Sequence, residues 1–132
     1  MRIFRLEEAT ALLPKLRPLL EELVRARRDL AIGLLEVDAV QRMHTEPTAS
    51  GRASTLANHA RDLQSRVVRL VEEIQEHGCT VKDLDLGLVD FPALRGGQLV
   101  NLCWKMDEKS IGFWHRMDEG FAARKSISRR RA

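Results

Sequence analysis

The chain has 132 residues, 44% of them hydrophobic, with a formal net charge of +3. That supplies one modest core and leaves no room for a second independent domain. No stretch approaches the ~18 unbroken apolar residues of a membrane span, and the opening MRIFRLEEAT lacks the apolar run of a signal peptide, so a cytoplasmic protein is expected.

The first element predicted is helical. Apolar residues recur at Leu16, Leu20, Leu23, Ala26, Leu30, Leu34, Val37 and Val40, in steps of three and four that place one stripe on a helix. Arg25, Arg27, Arg28, Asp29, Glu36 and Asp38 fall mostly off that stripe, as a solvated face requires. Pro14 and Pro18 interrupt the start, since an interior proline removes a helix hydrogen bond. The expectation is therefore a short helix over Leu6 to Leu13, a bend or restart at Pro14, and a second piece from Pro18 to Met43 about 39 Å long.

His44 to Ser54 (HTEPTASGRAS) reads as the loop that reverses the chain. Leu56, Ala60, Leu63, Val67, Leu70 and Ile74 then form a second stripe, closed by Gly78, a residue suited to the left-handed position after a helix. The two helices make an antiparallel hairpin over about residues 6–77. Leu19, Val24, Leu35, Val68 and Val71 widen its stripes beyond a single seam, so further cover is needed from the C-terminal region, from a second copy, or from both.

After Cys79 the period changes. Leu86 to Ala93, Gln98 to Met106 and Ile111 to Arg116 are short and rich in strand formers, separated by Gly96-Gly97 and by Asp107 to Ser110. They predict a three-stranded antiparallel β-meander over about residues 81–117, giving an α+β fold in a single domain, 1–123. With a two-residue turn at Gly96-Gly97, Phe91 opposes Leu102 and Val89 opposes Trp104. With a turn tip at Glu108-Lys109, Trp104 opposes Phe113 and Leu102 opposes His115. One face then gathers Val89, Phe91, Val100, Leu102, Trp104, Met106, Ile111, Phe113 and His115 against the helices. The other carries Leu88, Asp90, Leu99, Asn101, Cys103, Lys105, Trp114 and Arg116. Leu99, Cys103 and Trp114 on that outer face mark a candidate interface.

The last segment, RKSISRRRA over 124–132, holds five basic residues and no acid. Setting those five charges against the net +3 leaves −2 on the rest, so the basicity belongs to a tail expected to be flexible. Such a tail offers weak, non-specific contact with nucleic acid at most.

The candidate chemistry is sparse. Asp90, His115, Asp118 and Glu119 could offer one nitrogen and several oxygens to a divalent metal or a small ligand, but no HExxH and no second histidine at helical spacing supports them. Cys103 with His115 pairs a nucleophile with a base by residue type, while the register above turns them to opposite faces. Cys79 and Cys103 lack a CxxC neighbour and read as free thiols. Gly96-Gly97 lacks a phosphate-loop context. No cofactor is specified by these residues.

FRLEEATALLPKLRPLLEEL, VKDLDLGLVDFPALRGG and LCWKMDEKSIGFWHRMDEGFAARK together resemble a bacterial family catalogued as domain of unknown function 2203, in the order VKDL, GLVDFPA, LCW, WH, DEGFA. The resemblance implies no activity. It marks Asp83, Gly87, Asp90, Phe91, Pro92, Cys103, Trp104, Trp114, His115, Asp118, Gly120, Phe121 and Arg124 without roles. Arg5 stands where that pattern often has a capping Thr or Ser, and Ala123 and Ser126 replace a Gly and a Pro near Arg124.

Two functions follow as expectations. The first is a non-enzymatic oligomeric module, most simply a homodimer, using the long helices and the outer sheet face to bind itself or another protein. The second is a small-molecule or divalent-metal-dependent enzyme built on Asp90, His115, Asp118 and Glu119.

Overall fold

The computed structural model describes residues 1–43 and 47–127. A single unbroken helix, α1 (Leu6–Arg42), opens the fold, and α2 (Pro47–Gln75) returns beside it. The bend expected at Pro14 does not occur. Both Pro14 and Pro18 lie on the exposed side of α1, where water can take up the carbonyls they leave unpaired, while Ala9, Leu13, Leu16, Leu20 and Leu23 are buried on the other. Continuous burial of that stripe outweighs two missing hydrogen bonds. At its N-terminus Arg5 offers no side-chain cap, and Glu8 supplies half of one by accepting the Arg5 N–H at 2.8 Å.

The reversing loop is shorter than its composition suggests. Pro47 to Ser54 are helical, with the proline at the start, where a missing N–H costs nothing. Of the predicted loop, His44–Glu46 lie outside the described residues. Gly78 ends the helical run as expected, at φ +101°, and an added Cβ there would meet the Arg2 side chain and the Phe4 ring. The Arg2 guanidinium also donates to the His77 carbonyl, so the N-terminus is tied to the end of the hairpin.

Among the described residues the sheet has five strands, not three, in the order β1 (Thr80–Asp83), β2 (Leu88–Arg95), β3 (Gln98–Lys105), β4 (Phe113–Arg116) and β5 (Lys125–Ser126), all antiparallel. The additions are short edge strands of four and two residues, too brief for alternation to reveal. Phe4 extends the β1 edge, its N–H donating to the Pro92 carbonyl at 2.7 Å. Lys125–Ser126, assigned from sequence to the tail, form the edge strand of this sheet; 128–132 lie outside the described residues.

The β2/β3 register is the expected one, with Phe91 opposite Leu102 and Val89 opposite Trp104, around a Gly96-Gly97 turn whose two φ angles are positive. The β3/β4 register differs by one residue: Cys103 opposes Phe113, Leu102 opposes Trp114 and Asn101 opposes His115. The chain turns immediately after β3, with the Glu108 N–H bonded to the Lys105 carbonyl, and Ile111 and Gly112 lie before β4 rather than in it. A one-residue shift exchanges the faces of a strand. Trp114 therefore sits on the helix side, packed at the edge of the core, and Phe113 and His115 sit on the outer side.

The core is the helix-facing layer of β2 and β3, with Val89, Phe91, Val100, Leu102 and Trp104 against Leu13, Leu16, Leu20, Leu70 and Ile74. Arg17 of α1 lies over the Trp104 ring and donates to the carbonyls of Met106 and Glu108, locking the helix to the turn after β3. Beyond Leu30 the helices meet chiefly each other, as Gly33 does Ala60, so the far half of the hairpin projects as an arm.

Candidate functional site

The outer sheet face carries a buried polar cluster. Asp90 lies in the middle of β2, directly opposite Cys103 on β3, and Asn101 of β3 is opposite His115 on β4. The three strands thus deliver Asp90, Cys103 and His115 to one spot, at 2%, 0% and 1% exposure. One carboxylate oxygen, the thiol sulfur and one imidazole nitrogen all lie within 4.8 Å of one another.

His115 Nε2 is 3.1 Å from both Oδ1 and Oδ2 of Asp90, and Nδ1 is 2.8 Å from the Arg116 carbonyl oxygen. A carbonyl only accepts, so Nδ1 carries a proton. Both ring nitrogens are then committed, and neither is left to take a proton from Cys103. The cluster contains the residue types of a cysteine, histidine and aspartate triad without its connectivity. Burial pushes the Cys103 thiol up to about 12, and the neighbouring Asp90 carboxylate adds to that shift while Arg124 opposes it. Such a thiol is a poor nucleophile at neutral pH.

The chain crosses back over this face after β4. Arg124 places its guanidinium 3.8 Å from the Phe113 ring centre and 4.6 Å from that of Phe121, with Nη1 4.0 Å from Cys103 Sγ. Glu108, from the turn after β3, grips the same guanidinium with both oxygens, at 3.3 and 2.7 Å. Oε1, the oxygen 3.3 Å from Arg124 Nη1, also accepts the Lys105 N–H at 2.8 Å.

Of the four residues proposed from sequence to bind a ligand or metal, Asp90 and His115 come together. Asp118 is exposed, and Glu119 is occupied with the Arg116 N–H and the Lys125 ammonium, at 2.9 and 2.8 Å. Cys103, set aside because the slipped register turned it from His115, shares its face. The correct β2/β3 register already placed Asp90 opposite Cys103, and that was the available signal. Glu108 gave none, because its partner is sixteen residues away. The proposed interface set does not stay together either. Cys103 is sealed, Leu99 is partly exposed beside Leu94 on the hairpin tip, and Trp114 is half-buried on the opposite face between Arg95 and Lys125.

A second feature lies on the arm. Between the far ends of α1 and α2 is a groove of about 880 Å³ lined by Ala39, Val40, Met43 and Leu56, with Glu36 and Arg52 at its polar edge. No helix among the described residues is long and apolar enough to cross a membrane.

Fold and site together define an α+β protein in which a helical arm projects from a small sheet whose outer face encloses a polar cluster. The chain belongs to the family described as an uncharacterized conserved protein, DUF2203, whose model matches residues 2–127. Comparison with curated proteins gave no match, and comparison with solved structures gave none.

Proposed function

We propose that this chain is a non-enzymatic interaction module that pairs with a second copy of itself through the arm. The observation that carries this reading is an exposed apolar stripe along one flank of α1. Ile32, Leu35 and Met43 are 51%, 71% and 59% exposed, and with Ala39 they follow the spacing i, i+3, i+7, i+11. Leu30, Gly33 and Val40, on the other side, are the buried positions facing α2. Ala39 and Met43 also line the groove at the arm's end, so stripe and groove form one surface.

The spacing of the stripe favours a second copy as the occupant. In an antiparallel pair about a two-fold axis near Val37, Leu35 of one copy falls beside Ala39 of the other and Ile32 near Met43, so the apolar positions of the stripe meet one another. The sealing of Asp90, Cys103 and His115 supports a role without turnover, because a substrate has no open approach to them.

Sedimentation velocity across the micromolar range tests the reading. A concentration-dependent dimer that Leu35→Asp and Ile32→Asp convert to a folded monomer is expected. A wild-type monomer at high micromolar concentration overturns it, as does a dimer insensitive to both substitutions.

A further inference from the structure

We propose that Asp90, Cys103 and His115 form a binding site for one divalent transition-metal ion of the zinc type, which staples β2, β3 and β4 together. The donor set is one imidazole nitrogen, one carboxylate oxygen and one sulfur, a mixture that suits a borderline ion and does not suit magnesium or calcium.

The histidine is already arranged as a ligand. Its Nδ1 is held by the Arg116 carbonyl, the usual outer partner of a metal-bound imidazole, and this fixes both the tautomer and the direction of Nε2. Nε2 points at two carboxylate oxygens, each 3.1 Å away. A nitrogen lone pair and a carboxylate repel at that distance unless a cation lies between them. In the metal-free protein the cation is a proton shared by His115 and Asp90; a metal ion satisfies the same requirement. Two donors on a common tetrahedral zinc ion stand roughly 3.2–3.7 Å apart, so Nε2 and the carboxylate are nearly in place and Sγ has to approach by no more than about an ångström.

Charge closes as well. The ion brings two positive charges, the Asp90 carboxylate and the Cys103 thiolate bring two negative ones, and the neighbouring Arg124 and Glu108 neutralise each other. Binding forms metal bonds to nitrogen, oxygen and sulfur and releases two protons to solvent, one from the Cys103 thiol and one from the His115 and Asp90 pair. No oxidation state changes. The second Asp90 oxygen, also 3.1 Å from Nε2, supplies a fourth donor, and the Arg124 guanidinium beside Sγ tempers the thiolate charge. The site is independent of the arm and of any pairing through it.

The test uses the full chain after chelation, with Co²⁺ as the spectroscopic probe and Zn²⁺ as competitor. One equivalent of Co²⁺ is expected to produce a near-ultraviolet thiolate-to-metal absorption that one equivalent of Zn²⁺ abolishes, and Zn²⁺ binding in weak buffer releases about two protons per ion. Cys103→Ser and His115→Ala lose the absorption, and Cys79→Ser keeps it. Wild-type protein that takes up no stoichiometric Co²⁺, or takes it up without proton release, overturns the proposal whether or not the variants fold. An absorption that survives in folded Cys103→Ser and disappears in Cys79→Ser overturns it equally.

Discussion

His115 and Asp90, 25 residues apart in the chain, meet with one ring nitrogen equidistant from two carboxylate oxygens, and each side chain is at most 3% exposed. Removing one member of a buried pair leaves the other without compensation, whereas an isosteric amide keeps a polar partner in place. In the chelated protein, His115→Ala is expected to lower unfolding free energy by about 3–5 kcal/mol and Asp90→Asn by clearly less. Urea melts of both variants decide this. Equal losses would mean that a neutral amide does not stand in for the carboxylate, so that the charge of the pair rather than a polar partner sets the cost.

The two thiols differ in place and share a constraint. Burial raises Cys79 to about 11 and Cys103 to about 12, against an ordinary value of 9.0. At pH 8 the thiolate is then about one part in a thousand for Cys79 and one in ten thousand for Cys103. A disulfide reagent should titrate neither quickly in the native protein and both at once in denaturant. A rapid native phase that disappears in Cys103→Ser would show that the outer face opens far more readily than its packing implies.

Gly87 poses a sharper test of local geometry. Its φ is +66°, and a Cβ built there stands 2.7 Å from the Met106 sulfur and 2.9 Å from its Cγ. Gly96, at φ +58°, has open space around the same position. Gly87→Ala should therefore destabilise by about 1–3 kcal/mol and by more than Gly96→Ala. Trimming Met106 to Ala in the same chain should return the excess. If Gly87→Ala and Gly96→Ala cost the same, backbone strain alone explains both and the Met106 contact is irrelevant.

What could be read from the residues was the part governed by local periodicity. The stripe through Leu16, Leu20 and Leu23, the helix end at Gly78 and the Gly96-Gly97 turn each rest on spacing within a few positions. The β3/β4 register instead depends on how the chain leaves Lys105. Glu108 folds back on the Lys105 N–H while Trp104 Nε1 donates to the Glu108 carbonyl, and these contacts tighten the turn and keep Ile111 out of the strand. No pattern announces them. The one-residue difference they impose brings His115 to Asp90 and Cys103 and carries Trp114 to the helix side, so the error in the turn was also the error in the site. At Pro14 the cause is related: tertiary burial of Leu13 and Leu16 decides the path of the helix over the local cost of proline.

The strap that closes the outer face should respond to acid through Glu119. Its carboxylate accepts the Lys125 ammonium at 2.8 Å and the Arg116 N–H at 2.9 Å, and these two hydrogen bonds, the lysine's first, hold its pKa below the usual carboxylate value. A folded-state pKa that lies below the unfolded one means that the stabilisation is fully present above the ordinary glutamate range and is lost as pH falls through the lowered value. Lys125 opens β5, and the Ile127 N–H is tied to the Gly112 carbonyl at 2.9 Å, so release of Glu119 loosens β5 from β4 first. Amide hydrogen exchange at Lys125 to Ile127, corrected for intrinsic rate, should accelerate on acidification relative to the amides of β2 and β3. Glu119→Gln should show the faster exchange already at neutral pH and little further change on acidification. Protection of β5 that is independent of pH in the wild type, or unchanged in Glu119→Gln, would place the hold on the strap elsewhere, at the Arg124 and Glu108 pair.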